Sequence, residues 1–290
     1  MDTYFEPFVG GAAVFFALST EGRFKKAVLA DRNPALIEIY RSVQKNVDGV
    51  IRALEKLAPK LDEDSYYAVR SQDPERLDPA ERTARLIYLN KTGYNGLYRV
   101  NRAGQFNVPY GRYKNPRVLD EPALRAASAA LRRAKLLNED FEAACLGAKP
   151  GDAVYFDPPY VPLSRTSSFT AYDRHPFGLP EHERLAKTFA RLAKRGVPAV
   201  LSNSSTEETR GLYEPWALEL VKVGRSINCQ ARGRGPIDEI LVVNEPRRGG
   251  AAVGGPMGAN PVAPRTASGS TAPPKARGRA NARPPHKISR

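Results

Sequence analysis

The apolar pattern opens with a short aromatic-rich run, "TYFEPFVGG" (3–11), that stops at Gly10–Gly11 and resumes as "AAVFFALS". A short apolar run, a glycine break and a longer apolar run predict strand, turn and helix. "KAVLADRNPALIEIYRSVQKN" repeats the device, with a strand ending at Asp31 and a helix starting after Asn33–Pro34. From about residue 48 to 90, apolar spacings of three and four in "DGVIRALEKLA" and "PAERTARLIYLNK" predict helices. Further on, "EPALRAASAALRRAK" and "LPEHERLAKTFARLAKRG" read as helices. "AKLLNEDF", "DAVYFDPPY" and "VPAVLSNSS" read as strands, with Asp140–Phe141 near the end of the first. "ALELVKVG" and "DEILVVN" alternate well enough to close the sheet as a pair. Strand, glycine turn, helix, then a strand with an acid at its tip predicts an α/β, Rossmann-like sheet. Between residues 91 and 116 the texture changes to "KTGYNGLYRVNRAGQFNVPYGRYKNP", rich in Gly, Asn, Tyr and Arg, with Ala103–Gly104 as a hairpin turn.

Composition narrows the class. The 290 residues are 41% hydrophobic, which is ample for a buried core, and no apolar run approaches the roughly 18 residues of a membrane span. No signal peptide heads the chain. Cys145 and Cys229 lie far apart, and His175, His182 and His286 form no cluster, so no metal site or disulfide framework is expected and a reducing cytoplasm fits. The formal charge is +14, and Pro246–Arg290 alone holds nine Lys/Arg with no Asp/Glu. That Gly/Pro/Ala/Ser/Arg tail has little to bury and is expected to be a disordered basic arm, either a nonspecific polyanion binder or a solubilising extension. Subtracting its +9 leaves +5 on the remainder, which permits nucleic-acid binding without demanding it.

Four strand tips carry candidate chemistry. Glycines after the first strand, in "EPFVGG", let a backbone approach a nucleoside ligand closely. Asp31, about twenty residues on, is placed to accept from ribose hydroxyls, or else to cap the following helix. Asp140 and Phe141 offer an acceptor and a ring for an adenine, or a surface acid beside a core phenylalanine. "YFDPPY" is the most specific. An aromatic amino nitrogen is a poor nucleophile because its lone pair is delocalised into the ring. The Asp157 carboxylate and the Pro158 carbonyl supply two acceptors for its N–H groups and so favour a lone pair directed out of the ring plane. Pro159 has no N–H to compete, and Tyr160 offers a face on which an extruded base can stack.

These segments together resemble the Dam family of DNA adenine methyltransferases, which use S-adenosylmethionine. "YFEPFVGGAAVFF" looks like its cofactor motif, "DRNPALIEIY" its ribose segment and "NEDF" its adenine-binding segment. "YFDPPY" looks like its catalytic motif, and "LSNSS" and "GRGPIDEILVVN" its closing strands. Their order is that of the alpha group of amino-methyltransferases. The resemblance implies a Rossmann-like methyltransferase core over residues 1–50 and 130–245, a helical and β-hairpin target-recognition insertion over 51–129, and the tail from 246. It implies cofactor contacts from Glu6, Pro7, Phe8, Gly10, Gly11, Asp31, Asn33, Asp140, Phe141 and Asp157. Asp157, Pro158, Pro159 and Tyr160 are the implied catalytic residues, with no metal.

The segment "YNGLYRVNRAGQFNVPYGRY" is similar to the family's target-recognition hairpin and implies a GATC-like site in double-stranded DNA. Tyr94 and Asn95 would fill the gap left by a flipped adenine, and Arg99 and Arg112 would reach guanine edges or phosphates. Tyr113 and Lys114 would position phosphates, with Leu97, Asn101 and Pro109 completing the DNA-facing set. One departure bears on activity. The family opens with a Lys-Trp-Ala-Gly-Gly-Lys-like lead that helps enclose the cofactor, whereas this chain opens at its first strand. A displaced start, a shortened chain and weak cofactor binding are the open readings; the last implies a DNA-binding remnant that does not methylate. Cytosine amino groups or RNA are the alternative substrates. A monomer in the cytoplasm, nucleoid-associated or phage-encoded, with or without a cognate restriction endonuclease, completes the expectation.

Overall fold

The computed structural model describes residues 1–101, 103–162, 177–223 and 237–246. The basic tail beyond Pro246, and the start of "GRGPIDEILVVN", lie outside the described residues. Seven strands form one sheet in the order β3-β2-β1-β4-β5-β7-β6. They are β1 (Thr3–Glu6), β2 (Lys26–Ala30), β3 (Ala134–Leu137), β4 (Ala153–Phe156), β5 (Ala199–Ser204), β6 (Trp216–Val223) and β7 (Ile237–Pro246). The first five run parallel, and β7 is antiparallel to both β5 and β6. This mixed α/β sheet is the Rossmann-like methyltransferase architecture. The strand order reverses between β1 and β4, and in such sheets the crevice beyond the carboxyl ends at that reversal is where ligands bind.

Strand periodicity builds two cores from adjacent residues. Tyr4 faces one side with Phe15, Leu29, Ile37 and Leu131. Phe5 faces the other with Phe156, Leu185, Phe189, Leu201 and Ile240. The first core is covered by α1 (Ala13–Thr20), α2 (Pro34–Lys45) and α6 (Glu121–Leu131); the second by α8 (Leu179–Lys194), with α7 (Phe141–Ala144) and α9 (Glu207–Leu212) at its margins. Sharp starts are sequence-coded. Asn33 caps α2 by accepting from the Ala35 and Leu36 amides, with Pro34 in the first turn.

A third cluster is separate. Val50 and Leu54 from α3 (Val47–Leu57), Tyr66 from α4 (Glu63–Ser71), and Tyr88 and Leu89 from α5 (Pro79–Thr92) enclose Phe106 and Val108 of the hairpin. The expected boundary at residue 50 therefore falls inside α3. Asp78 and Glu81 form a reciprocal capping box that starts α5. Two element readings shift. The helix expected to run through "LRRAK" stops at Leu131, and strand pairing begins at Ala134. The strand expected to reach Asp140–Phe141 ends at Leu137, because the Asp140 side chain accepts from the Glu142 amide and caps α7. Among the described residues, no helix is long and apolar enough to cross a membrane.

Candidate active site

The carboxyl ends of β1, β2, β4 and β5 bring the predicted residues to one edge of the sheet. After β1 the chain turns through Gly10 (φ 42°) and Ala12 (φ 54°) before α1. A non-glycine residue in this left-handed region costs about 1 kcal/mol, so the surroundings must hold Ala12 there. They do: its amide reaches the Val9 carbonyl at 2.6 Å, and its side chain is buried. Nothing lies within 4 Å of where a Cβ on Gly11 would sit, so the turn presents bare backbone to open space.

Two side chains hold this turn from outside. Asp31, at the tip of β2, accepts from the Gly10 amide through Oδ2 (3.2 Å) and from the Asn33 amide through Oδ1 (2.9 Å). The helix cap itself is Asn33. Tyr40, from α2, donates its hydroxyl to the Gly10 carbonyl at 2.7 Å, a contact the sequence pattern did not signal. Glu6 lies beneath, 3% exposed, accepting from the Tyr4 hydroxyl at 2.9 Å. Burial pushes its carboxyl up to about 7, against the lowering effect of the Tyr4 and Phe15 hydrogen bonds. Pro7 is buried and Phe8 half-buried.

Phe141 takes the second of its two readings, a phenylalanine of the core, with Asp140 half-buried beside it. The Phe141 ring is 1% exposed, covered by the stacked Phe8 ring at 5.3 Å and by the Arg184 guanidinium at 4.4 Å from its centroid. Its one-residue position inside α7 turns the ring into the core. The half-buried rings on this rim are Phe8 and Phe177, which meet edge to face at 5.5 Å. Asp140, besides capping α7, is ion-paired with Arg184 of α8.

Asp157 follows β4 directly. Its side chain is exposed, while its Oδ1 accepts from Ser202 Oγ of β5 at 2.7 Å. Pro158 is buried and Pro159 exposed. Tyr160 is half-buried and donates to Glu239 Oε2 of β7 at 3.2 Å. Burial, with the nearby Asp157 and Glu239 charges, raises its phenol well above the ordinary value, so it stays a donor at any working pH. The loop is fastened further: Asn203 Oδ1 accepts from the Val161 amide (3.1 Å), and Ser204 Oγ donates to the Val161 carbonyl (2.6 Å).

The hairpin residues form a second group on the third cluster. Tyr94 is 48% exposed, and Asn95 and Gly96 both take positive φ, which turns the chain sharply behind it. Asn101 is used inside the hairpin: its Oδ1 accepts from the Ala103 and Gln105 amides. Isolated antiparallel bridges at Gly93–Tyr110 and Val100–Phe106 pair the legs among the described residues, and the Asn107 amide donates to the Arg99 carbonyl at 3.0 Å. A Cβ on Gly111 would lie 2.8 Å from the Gly93 carbonyl oxygen, so glycine permits this close approach. Arg99 bonds to Asn107, and Arg112 pairs with Glu63 at 3.3 Å. Leu97 is half-buried against the cluster; Pro109, Tyr113 and Lys114 are exposed.

Comparison with known proteins identifies the family. Residues 1–227 match the D12 class N6 adenine-specific DNA methyltransferase family. The type II methyltransferase M.MjaIII of Methanocaldococcus jannaschii is 44% identical over 253 residues, spanning 83% of this chain and 88% of that protein. M1.LlaDCHI of Lactococcus lactis subsp. cremoris, also a type II methyltransferase, is 40% identical over 247 residues (83% and 86%). A DNA adenine methylase of Escherichia coli is 38% identical over 243 residues, with the same coverage. A Rossmann-like sheet with these tips, a family match over most of its length and relatives at this identity make the chain a member of the D12 class of N6 adenine-specific DNA methyltransferases.

Proposed function

We propose that this chain moves the methyl group of S-adenosylmethionine to N6 of an adenine extruded from double-stranded DNA at a GATC-like site. The observation that carries the reading is the meeting, at the β1/β4 reversal, of a bare glycine turn with a Ser202-held carboxylate at the head of "DPPY". The donor set fits the cofactor's chemistry. A Cβ at Gly11 would project into the space a ligand needs. A carboxylate has about four acceptor positions, which lets Asp31 serve ribose hydroxyls as well as the turn. The buried Glu6 charge, when present, favours a cation nearby.

S-adenosylmethionine supplies an electrophilic methyl group on a sulfonium. Asp157 and the Pro158 carbonyl accept from the adenine amino group and so steer its lone pair toward that methyl. Tyr160 stacks on the extruded base. Since the electrophile is already strong, positioning and charge placement dominate the rate gain. The exposed hairpin, with Tyr94, Asn95, Arg99, Arg112, Tyr113 and Lys114, forms the DNA-facing surface of the region 51–129, and the chain acts as a monomer. Two relatives are named type II methyltransferases, which supports a restriction-modification setting with a cognate endonuclease in the cytoplasm.

The test is direct. Full-length protein, S-adenosylmethionine with a labelled methyl group and duplexes with or without GATC are combined, and the nucleosides are then analysed. N6-methyladenine confined to GATC duplexes is expected. Label on cytosine, on RNA, or nowhere overturns the reading.

A further inference from the structure

Three residues beyond the "DPPY" loop govern where its functional groups point. Ser202 is 4% exposed on β5, one residue past the Phe156–Leu201 register pair. A hydroxyl carries a single proton. At 2.7 Å from Asp157 Oδ1 and 3.3 Å from the Phe156 carbonyl, that proton goes to the carboxylate, where the hydrogen bond is charge-assisted. The Tyr155 hydroxyl donates to Ser202 Oγ at 3.2 Å, and this fixes the hydroxyl's own direction. The chain Tyr155–Ser202–Asp157 thus sets one rotamer for a carboxylate whose side chain is otherwise exposed. On the neighbouring strand, Glu239 pairs in register with Ser204, and its Oε2 receives the Tyr160 hydroxyl. A ring tethered at its para position cannot swing about its Cα–Cβ bond without breaking that hydrogen bond, so the tether fixes the direction in which the ring points.

We propose that Ser202 and Glu239 are positioning residues for methyl transfer: Ser202, backed by Tyr155, aims the Asp157 carboxylate, and Glu239 sets the attitude of the Tyr160 ring. The assignment rests on the function proposed above and deepens it. β5 and the antiparallel β7 are the parts of the fold that orient two groups on a loop after β4. The division of labour is specific. Loss of Ser202 affects the step at the amino nitrogen, whereas loss of Glu239 affects how the extruded base is held.

Single-turnover methyl transfer and 2-aminopurine fluorescence, with the analogue at the target adenine, separate the two roles. S202A is expected to transfer about 10- to 100-fold more slowly, the scale of a small misplacement of a reacting group. Its 2-aminopurine signal and S-adenosylmethionine affinity stay at wild-type values, and S202T, which keeps the hydroxyl, restores the rate. E239A is expected to change the emission of the bound duplex, while E239Q keeps it through the amide oxygen. A wild-type rate in S202A, a loss that S202T does not rescue, or a parallel loss of cofactor affinity overturns the Ser202 assignment. Unchanged emission in E239A overturns that of Glu239. A wild-type protein that methylates no adenine fails earlier, at the functional reading itself, so the two failures are distinct.

Discussion

Arg99 and Asn107 are bonded twice: Arg99 Nε donates to Asn107 Oδ1 at 2.7 Å, and Arg99 Nη2 donates to the Asn107 carbonyl at 3.0 Å. One edge of the guanidinium is thereby fixed across the hairpin, and its far end is held out at an exposed position. A bidentate arginine contact to guanine discriminates by about 1–3 kcal/mol. Arg99→Ala is therefore expected to relax preference at one position flanking the target adenine, and Asn107→Ala to do the same more weakly by freeing the side chain. Methylation rates on duplexes substituted singly at each position decide this. A uniform loss on all sequences with a shallower salt dependence assigns Arg99 to phosphate instead.

Asp157 and Asp31 sit on opposite sides of the strand-order reversal and should fail in different ways. Asp157→Ala is expected to lower single-turnover methyl transfer by at least about 100-fold, the range seen when a preorganised electrostatic group is removed. Its cofactor affinity should hold. Asp31→Ala removes hydrogen bonds to a charged acceptor, each worth about 1.5–3 kcal/mol, and releases the Gly10 turn. Cofactor affinity should fall about 10- to 100-fold. Titration calorimetry with the cofactor, beside single-turnover rates, reads both; swapped phenotypes would exchange the two roles.

The strands and their tips were legible because buried parallel strands read as short apolar runs that end at conspicuous residues: Gly10, Asp31 and Asp157. What holds those tips was not legible. Tyr40, Ser202 and Glu239 act across strands or helices 30 to 79 residues away in the chain. Ser202 reaches Asp157 through the pairing of β4 with β5, and Glu239 reaches Tyr160 because β7 inserts between β5 and β6, which no local pattern encodes. Phe141 shows the opposite difficulty. Its residue type suited a stacking face, but a cap at Asp140 started a helix where the strand was expected to end, and the ring went inward. Asn107 lay in the quoted hairpin, yet its bond to Arg99 needs the two legs to be registered first.

The basic tail, nine Lys/Arg without Asp/Glu, is expected to act through counterion release. Removing residues 247–290 should weaken binding to specific and scrambled duplexes alike at low salt, with the difference fading as salt rises. The methyl-transfer step of the bound complex should be unchanged. A salt series on both proteins measures the slope. Equal affinities throughout would make the tail inert, and a large fall in Tm on truncation would show that it packs on the fold.

Glu6 gives the site a pH dependence whose sign follows from its environment. Burial raises its carboxyl from 4.5 to about 7, so the folded state holds a proton that the unfolded chain releases earlier. Between those values the folded state binds more protons, and stability falls as pH rises through the window, by about 3 kcal/mol in all. Glu6→Gln removes that penalty. Its Tm is expected to match wild type near pH 4 to 5 and exceed it at pH 8. On the proposed function, the ionised Glu6 is expected above pH 7 to attract the sulfonium cation, which the neutral thioether of S-adenosylhomocysteine lacks. The affinity ratio of S-adenosylmethionine to S-adenosylhomocysteine should therefore rise through pH 7 in wild type and stay flat in Glu6→Gln. Calorimetry with both ligands from pH 5.5 to about 8.5 spans the transition, which a single carboxyl completes within about one unit on either side of its midpoint. Parallel titration of the two affinities in wild type would mean that Glu6 does not face the sulfonium, and its burial would then be structural alone.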